Sequence, residues 1–141
     1  MKQSTGFALV LLALVVGTLP LLAQDQHDQV VQRGRYVVEE VARCQECHTP
    51  RTDDHEFDRS KWLKGATLVV TPATPIAGWH KTSPDLTSSS VLWQRWGDEG
   101  LVRFLETAKN PRGGKAGAPM PAYTLSHEDA TAVVAYLKSL H

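Results

Sequence analysis

The stretch CQECH, residues 44–48, constrains this chain more than any other feature, because it holds both cysteines of the 141-residue sequence. The cysteines lie three positions apart, and His48 follows the second directly. The C-x-x-C spacing is shared by a redox-active dithiol, half of a zinc site, and a covalent attachment point for haem. Each of these requires the chain to gather other residues around Cys44 and Cys47.

His48 favours the haem site over the other two. In C-x-x-C-H, both thiols form thioethers with a haem and the histidine is the proximal iron ligand. A structural zinc site needs two further ligands, and neither a second C-x-x-C nor an H-x3–5-H pair follows. A redox dithiol is typical of a βαβ context, whereas the residues before Cys44 have helical periodicity. We predict one covalent haem c attached through Cys44 and Cys47; a dithiol without haem is the alternative.

The first 23 residues have the pattern of a secretory signal peptide. Lys2 precedes an apolar run over residues 7–23 that ends in the small residue Ala23. This run is shorter than the roughly 20 apolar residues of a membrane span, although an uncleaved anchor that tethers the protein to a membrane is an alternative. Export agrees with haem attachment, which bacteria carry out outside the cytoplasm. We expect a signal peptide over 1–23 and one exported, periplasmic domain over 24–141.

The charge balance excludes one class of partner. The whole chain carries 15 Lys and Arg against 15 Asp and Glu, and the predicted signal peptide removes only Lys2 from this balance. The remaining domain is nearly neutral, which argues against nucleic acid as a partner.

Hydrophobic periodicity predicts three main helices, over residues 30–43, 98–109 and 126–140. Ser126 is a favourable N-cap for the last of them. Gly34 lies inside the first helix, where glycine costs about 1 kcal/mol relative to alanine. It indicates a close approach between two helices, or else a tolerated glycine.

The segment between the first two helices has no clear periodicity apart from a short helical pattern in SSVLWQRW, residues 89–96. So long an irregular segment is unusual in a compact domain. A haem would supply the apolar core that loops can surround. The residues available to line it are Leu63, Leu68, Trp79, Leu86, Leu92 and Trp96.

Met120 is the candidate for the second axial iron ligand. It lies 72 residues after His48 in the sequence PMP, where the two prolines stiffen the loop. A thioether ligand raises the reduction potential of the iron. The rival ligands are His55, in an acidic turn close to His48; His80, which is the stronger rival; and His127, which we expect at the surface.

Four segments together resemble the monohaem class I c-type cytochromes, in particular the cytochrome c domains that accept electrons from periplasmic dehydrogenases. They are RGRYVVEEVARCQECHTPR (33–51), SKWLKGA (60–66), PMPAY (119–123) and LSHEDATAVVAYLKSL (125–140). Residues 66–97 match that family poorly, which leaves the haem-propionate contacts open.

The resemblance implies an all-α cytochrome c fold, with three main helices and long loops around one haem. It implies thioethers at Cys44 and Cys47, axial ligands at His48 and Met120, and a one-electron carrier rather than an enzyme. The implied partners are redox proteins: a dehydrogenase, an oxidase or another cytochrome. A haem enzyme or gas sensor from which Met120 dissociates is the alternative.

Two further expectations follow from the resemblance. The first and last helices of the family cross near a glycine and aromatic residues, which fits Gly34, Tyr36 and Tyr136. The basic segment KNPRGGK, residues 109–115, lies a few positions before Met120. We expect it beside the exposed haem edge, where it would attract an acidic partner.

Overall fold

The structure, a computed structural model, describes residues 24–141. The predicted signal peptide and membrane tether lie outside these residues. The described helices are α1 over residues 24–36, which continues into a π-helical turn Val37–Val41, then α2 Gln45–His48, α3 Val91–Thr107 and α4 His127–Ser139. A 3-10 turn, Arg59–Lys61, lies between α2 and α3. Residues 24–141 contain only isolated β-bridges and no strand, which confirms the all-α prediction.

Helix α4 forms where the sequence predicts it. The Ser126 side chain accepts a hydrogen bond from the Asp129 backbone N–H, as an N-cap does. Glu128 and Asp129 in the first turn favour the positive end of the helix dipole. The predicted apolar face is buried against α3 and the π-helical turn; it consists of Ala130, Val133, Val134 and Leu137.

Helix α3 joins the two helical patterns that the sequence shows separately. Gly97 has φ 63° and ψ −178°, and it breaks the helix between a short segment from Val91 and the longer predicted one. A positive φ costs little at glycine, which has no Cβ. The helix ends at Thr107, two residues earlier than predicted, and Ala108 caps it in a left-handed conformation with φ 55°.

Helix α1 extends further toward the N-terminus than predicted. It is already helical at residue 24, whereas apolar periodicity begins only at Val30. Residues 24–30 are all exposed, so they bury no apolar stripe that periodicity could reveal. The π-helical turn Val37–Val41 ends the helix, and its buried residues Val37 and Val38 join the core.

Gly34 marks a close approach between α1 and α4, as one of its two interpretations predicts. A Cβ added to Gly34 would lie 1.9 Å from the Ala132 carbonyl oxygen and 2.8 Å from the Tyr136 Cβ. Tyr136 is buried at this crossing, but Tyr36 is 51% exposed, with the Arg33 guanidinium 5.5 Å from its ring centroid. Of the two tyrosines expected at the crossing, only Tyr136 is therefore buried there.

We expect Gly34→Ala to destabilise the protein by about 3 kcal/mol, because a methyl group at this crossing forces the helices apart. Chemical denaturation followed by circular dichroism measures the effect. Gly100→Ala is the control, since the nearest atom to its added Cβ is the Trp96 Cβ at 3.1 Å. Equal stability of Gly34→Ala and Gly100→Ala would contradict the close approach.

Backbone hydrogen bonds between parts of the long segment that joins α2 and α3 hold this segment in place. Thr67 and Thr82 form an isolated antiparallel bridge, with the Leu68 N–H donating to the Lys81 carbonyl at 2.9 Å. The Leu86 N–H donates to the Leu63 carbonyl at 2.9 Å. Loops thus enclose space beside the helices, as the sequence predicts for a chain that surrounds a large group. No helix in residues 24–141 has the length and apolarity that crossing a membrane requires.

Candidate cofactor site

One cavity of about 600 Å³ brings together the predicted site residues. Cys44, Cys47, His48 and Met120 all line it. Its volume lies within the roughly 300–1,000 Å³ of pockets that bind sizeable ligands. Apolar side chains from three helical elements complete the walls; they are Val37, Trp96, Leu101, Phe104, Leu105, Val133 and Leu137.

His48 is oriented by a backbone carbonyl of the segment between α2 and α3. Its Nδ1 lies 2.8 Å from the Pro84 carbonyl oxygen, and since a carbonyl can only accept, Nδ1–H is the donor. This fixes the tautomer and leaves the lone pair on Nε2, the arrangement that metal-ligating histidines commonly have. Burial lowers the pKa of His48, against the smaller raising effect of the Pro84 hydrogen bond, so the imidazole is neutral at pH 7.

Residues of two loop segments form hydrogen bonds with the backbone of the CQECH stretch. The Ser83 hydroxyl donates to the Cys47 carbonyl at 2.6 Å and accepts from the Ala66 N–H at 2.9 Å. The Gly65 N–H donates to the His48 carbonyl at 2.8 Å. These bonds satisfy the last carbonyls of the four-residue helix α2, which has no room for a full set of its own.

The Cys44 thiol does not have the character of a redox-active thiol. Burial raises the pKa of Cys44 to about 11, so this thiol stays protonated at physiological pH. Thiol–disulfide exchange needs a thiolate, and reactive C-x-x-C motifs lower the pKa of a cysteine instead. The dithiol alternative therefore loses its chemical basis at Cys44.

Met120 lies on a loop that a second loop supports. Its N–H donates to the Gly117 carbonyl at 3.1 Å. The His80 ring packs directly on Gly117: a Cβ added there would lie 2.2 Å from the His80 Nε2. The His80 backbone N–H also donates to the Ala118 carbonyl at 2.7 Å. The side chain of Met120 is half-buried at the cavity wall.

The three rival histidines have different positions. His127 is exposed, as expected of a surface residue, and its Nδ1 lies within hydrogen-bonding distance of the Glu106 carboxylate, at 2.7 Å. His55 lines a separate, open groove and not the cavity that holds Cys44, Cys47 and His48. His80 lines the same cavity as Met120 and remains the one rival ligand within it.

The predicted apolar lining is confirmed in part. Leu68, Leu86, Leu92 and Trp96 line the cavity. Leu63 and Trp79 do not, and that prediction is wrong for both. Leu63 is fully buried in the core instead, where its N–H donates to the Thr49 hydroxyl at 2.9 Å.

Several residues that shape the site belong to no motif or periodic pattern in the sequence. The Pro84 carbonyl and the Ser83 hydroxyl act on residues 36 positions away. Position 117 has room only for a glycine because the His80 ring packs on it. A Gly three residues before the predicted ligand is the one trace of this packing in the sequence.

The residues present fit a covalently attached haem. Two half-buried thiols and a neutral imidazole with a free Nε2 lie on one largely apolar cavity, with a thioether also on its lining. Within residues 24–141, no three His, Cys, Asp or Glu side chains come together as ligands of a bare metal ion. The structure thus offers no support for the zinc alternative.

Comparison with known proteins gives the same assignment. The family described as Cytochrome c matches residues 31–141. The fructose dehydrogenase cytochrome subunit of Gluconobacter japonicus is 33% identical over 129 residues, which are 86% of this chain and 24% of that protein. The gluconate 2-dehydrogenase cytochrome c subunit of Pantoea cypripedii is 32% identical over 121 residues, 82% of this chain and 27% of that protein.

A third relative is the diheme cytochrome c-type protein of Cereibacter sphaeroides. It is 34% identical over 112 residues, which are 76% of this chain and 34% of that protein. The chain therefore spans about a quarter to a third of the length of these curated relatives. The match covers α2, α3, α4 and the loops around the cavity.

Proposed function

The chain belongs to the cytochrome c family, and on that premise we propose that it is an exported one-electron carrier with a single haem c, ligated by His48 and Met120. One observation carries the proposal. His48 and Met120 line the same cavity as Cys44 and Cys47, and the His48 Nδ1–H donates to the Pro84 carbonyl, which leaves Nε2 for the iron.

The haem, when bound, supplies an iron that alternates between the ferrous and ferric states. The protein residues set how readily it does so. Met120 would supply a sulfur ligand, which favours the ferrous state and raises the reduction potential. The hydrogen bond from His48 to Pro84 makes the imidazole a better donor and fixes its plane.

The remaining lining residues make the site apolar. Phe104, Leu105 and Leu137 contribute apolar walls to the cavity, and low polarity around a haem is a further influence on its reduction potential. His48 and Met120 together would fill both axial positions. A closed six-coordinate iron suits electron transfer rather than substrate binding.

The proposal also covers the redox partners of the protein and its cellular location. The relatives named as cytochrome subunits of dehydrogenases support a redox protein, a dehydrogenase among them, as electron donor or acceptor. We expect no nucleic acid partner, because the chain is nearly neutral. Export to the periplasm through residues 1–23 agrees with haem attachment outside the cytoplasm.

The test is a potentiometric titration of the purified protein together with haem staining on a denaturing gel. We expect one covalent haem per chain, sharp α and β bands on reduction, and a reversible one-electron transition. Absence of covalent haem would refute the proposal. A haem that binds carbon monoxide readily in the reduced protein would instead favour a haem enzyme or gas sensor.

A further inference from the structure

We propose that Tyr123 is a positioning residue for the predicted axial ligand Met120, and that its hydroxyl group holds the Met120 loop against the turn before Cys44. The Met120 loop is residues 116–125. The hydrogen bond concerned runs from the Tyr123 hydroxyl to the Ala42 carbonyl oxygen at 3.0 Å. This inference rests on the proposed function, because it assigns what keeps the iron closed once Met120 ligates it.

This hydrogen bond joins the two segments that carry the predicted iron ligands. Ala42 lies just before the CQECH stretch, and Tyr123 lies three residues after Met120, so the bonded residues are 81 positions apart. Within the described part of the chain, no other hydrogen bond joins residues 37–48 to the Met120 loop. The Tyr123 hydroxyl therefore makes the one directional contact between the two segments.

The phenol of Tyr123 is suited to donate this bond. Tyr123 lines the cavity together with Cys44 and Cys47. Burial raises the pKa of Tyr123, and the two neighbouring cysteines add smaller raising effects. The hydroxyl is therefore protonated at physiological pH, and a carbonyl oxygen can only accept. A phenylalanine at position 123 would keep the ring on the cavity wall but could not donate.

The acceptor belongs to a turn that needs support from elsewhere in the chain. Ala42 follows the π-helical turn, and Arg43 next to it has φ 51°, a left-handed conformation that is unfavourable for a residue with a Cβ. Such a conformation persists where surrounding contacts hold it. The Ala42 carbonyl is part of the peptide group that enters Arg43, so the bond from Tyr123 restricts rotation of that group. The turn in its support directs the chain into Cys44.

The Met120 loop has few other attachments. Near its start, the His80 backbone N–H donates to the Ala118 carbonyl at 2.7 Å, and at its end the Leu125 N–H donates to the Leu105 carbonyl at 3.0 Å. Tyr123 is the one residue of this loop whose side chain forms a hydrogen bond with another described residue. Its loss would leave the part of the loop that follows the predicted ligand without a hydrogen bond to the CQECH side of the cavity.

Opening of the sixth iron position requires Met120 to move away from the cavity, and the Tyr123–Ala42 bond opposes this movement. Loops with few attachments open locally at a smaller free-energy cost than global unfolding. One hydrogen bond of ordinary net strength changes such an equilibrium about tenfold. An external ligand binds only the open form, so its apparent affinity reports the fraction of molecules that are open.

Imidazole is the probe, because it binds open ferric iron through a nitrogen atom. In this exchange the iron–sulfur bond of Met120 breaks, an iron–nitrogen bond forms, and no electron is transferred. The weak far-red absorption band of the ferric protein reports the sulfur ligand, and its loss during titration gives the dissociation constant. We expect Tyr123→Phe to keep the covalent haem and the far-red band, and to bind imidazole about tenfold more tightly than the parent.

Tyr136→Phe is the matched control, since it also removes one tyrosine hydroxyl that donates a hydrogen bond. The Tyr136 hydroxyl donates to the Glu39 carboxylate at 2.5 Å, and Tyr136 does not line the cavity. This variant should lower the free energy of unfolding but keep the parent's affinity for imidazole. Equally tighter binding in Tyr136→Phe and Tyr123→Phe would show a general loss of stability and would overturn the inference.

A second comparison asks whether Tyr123 acts through Met120. In the Met120→Ala variant no iron–sulfur bond remains to be broken, so the further change Tyr123→Phe should leave its imidazole affinity unchanged. The two substitutions are therefore expected to be non-additive, as coupled residues are. A tenfold effect of Tyr123→Phe in both backgrounds would show that Tyr123 controls only the access of imidazole, and the positioning role would be wrong.

The parent protein separates failure of this inference from failure of the proposed function. A parent without the far-red band would refute ligation by Met120, and with it both proposals. A parent that has the covalent haem and the band, together with a Tyr123→Phe variant of unchanged imidazole affinity, would refute the role of Tyr123 alone.

Discussion

The Cys44→Ala/Cys47→Ala variant should carry no covalent haem and should be largely unfolded. The cavity has a volume of about 600 Å³. An unfilled volume of that size costs on the order of 10 kcal/mol at roughly 24 cal/mol per Å³. This is comparable with the entire stability of a small domain, about 5–15 kcal/mol. We therefore expect the protein to need the attached haem to complete its core.

Haem staining on a denaturing gel and circular dichroism measure the two effects separately. Glu46→Gln is the control within the same stretch, because it removes the ion pairs with Arg43 and Arg51 but keeps both thiols. These exposed pairs contribute little to stability, so this variant should keep its haem and its helices. Covalent haem in the double alanine variant would contradict the attachment at Cys44 and Cys47.

Met120→Ala should keep the covalent haem and lower the reduction potential. We expect a decrease on the order of 0.1 V, a fraction of the roughly 0.8 V range that axial ligands span. Loss of the thioether removes the ligand that favours the ferrous state and opens the sixth position. Added imidazole should then bind, and a redox titration with and without imidazole measures both effects.

His80→Phe separates Met120 from its rival ligand. Phenylalanine keeps a ring against Gly117 but cannot ligate iron, so the Met120 loop retains its support. We expect this variant to keep the parent's potential. A lowered potential in His80→Phe together with an unchanged one in Met120→Ala would identify His80 as the ligand.

Local signals predicted the parts of the fold that depend on neighbouring residues. The Ser126 cap, the acidic first turn and the apolar face fixed α4 to within one residue at each end. The prolines and glycines of the middle segment correctly indicated loops. The start of α1 was missed because its first turns are polar and exposed, so that no periodic stripe exists there.

The contacts that shape the site join distant parts of the chain and could not be read from sequence. The motif CQECH and the methionine between prolines indicated which residues to expect on the cavity. Ser83 and Pro84 support that motif from 36 positions away, and His80 supports the Met120 loop from 37 residues before Gly117. Neither pair of segments has a fixed spacing by which the contact could be recognised in a sequence. Apolarity alone predicts Leu63 and Trp79 on the lining, but it does not distinguish a cavity wall from the core, where Leu63 lies, or from another partly buried position such as that of Trp79.

The most direct test of the account is the proton NMR spectrum of the reduced protein after selective labelling of methionine methyl groups. The sequence contains two methionines, Met1 and Met120, so assignment requires only the Met120→Leu variant. If Met120 ligates the iron, its methyl group lies over the haem plane, and ring currents shift its resonance far upfield. A Met120 methyl resonance at the position of an unligated methionine would contradict the His48 and Met120 ligation on which the account depends.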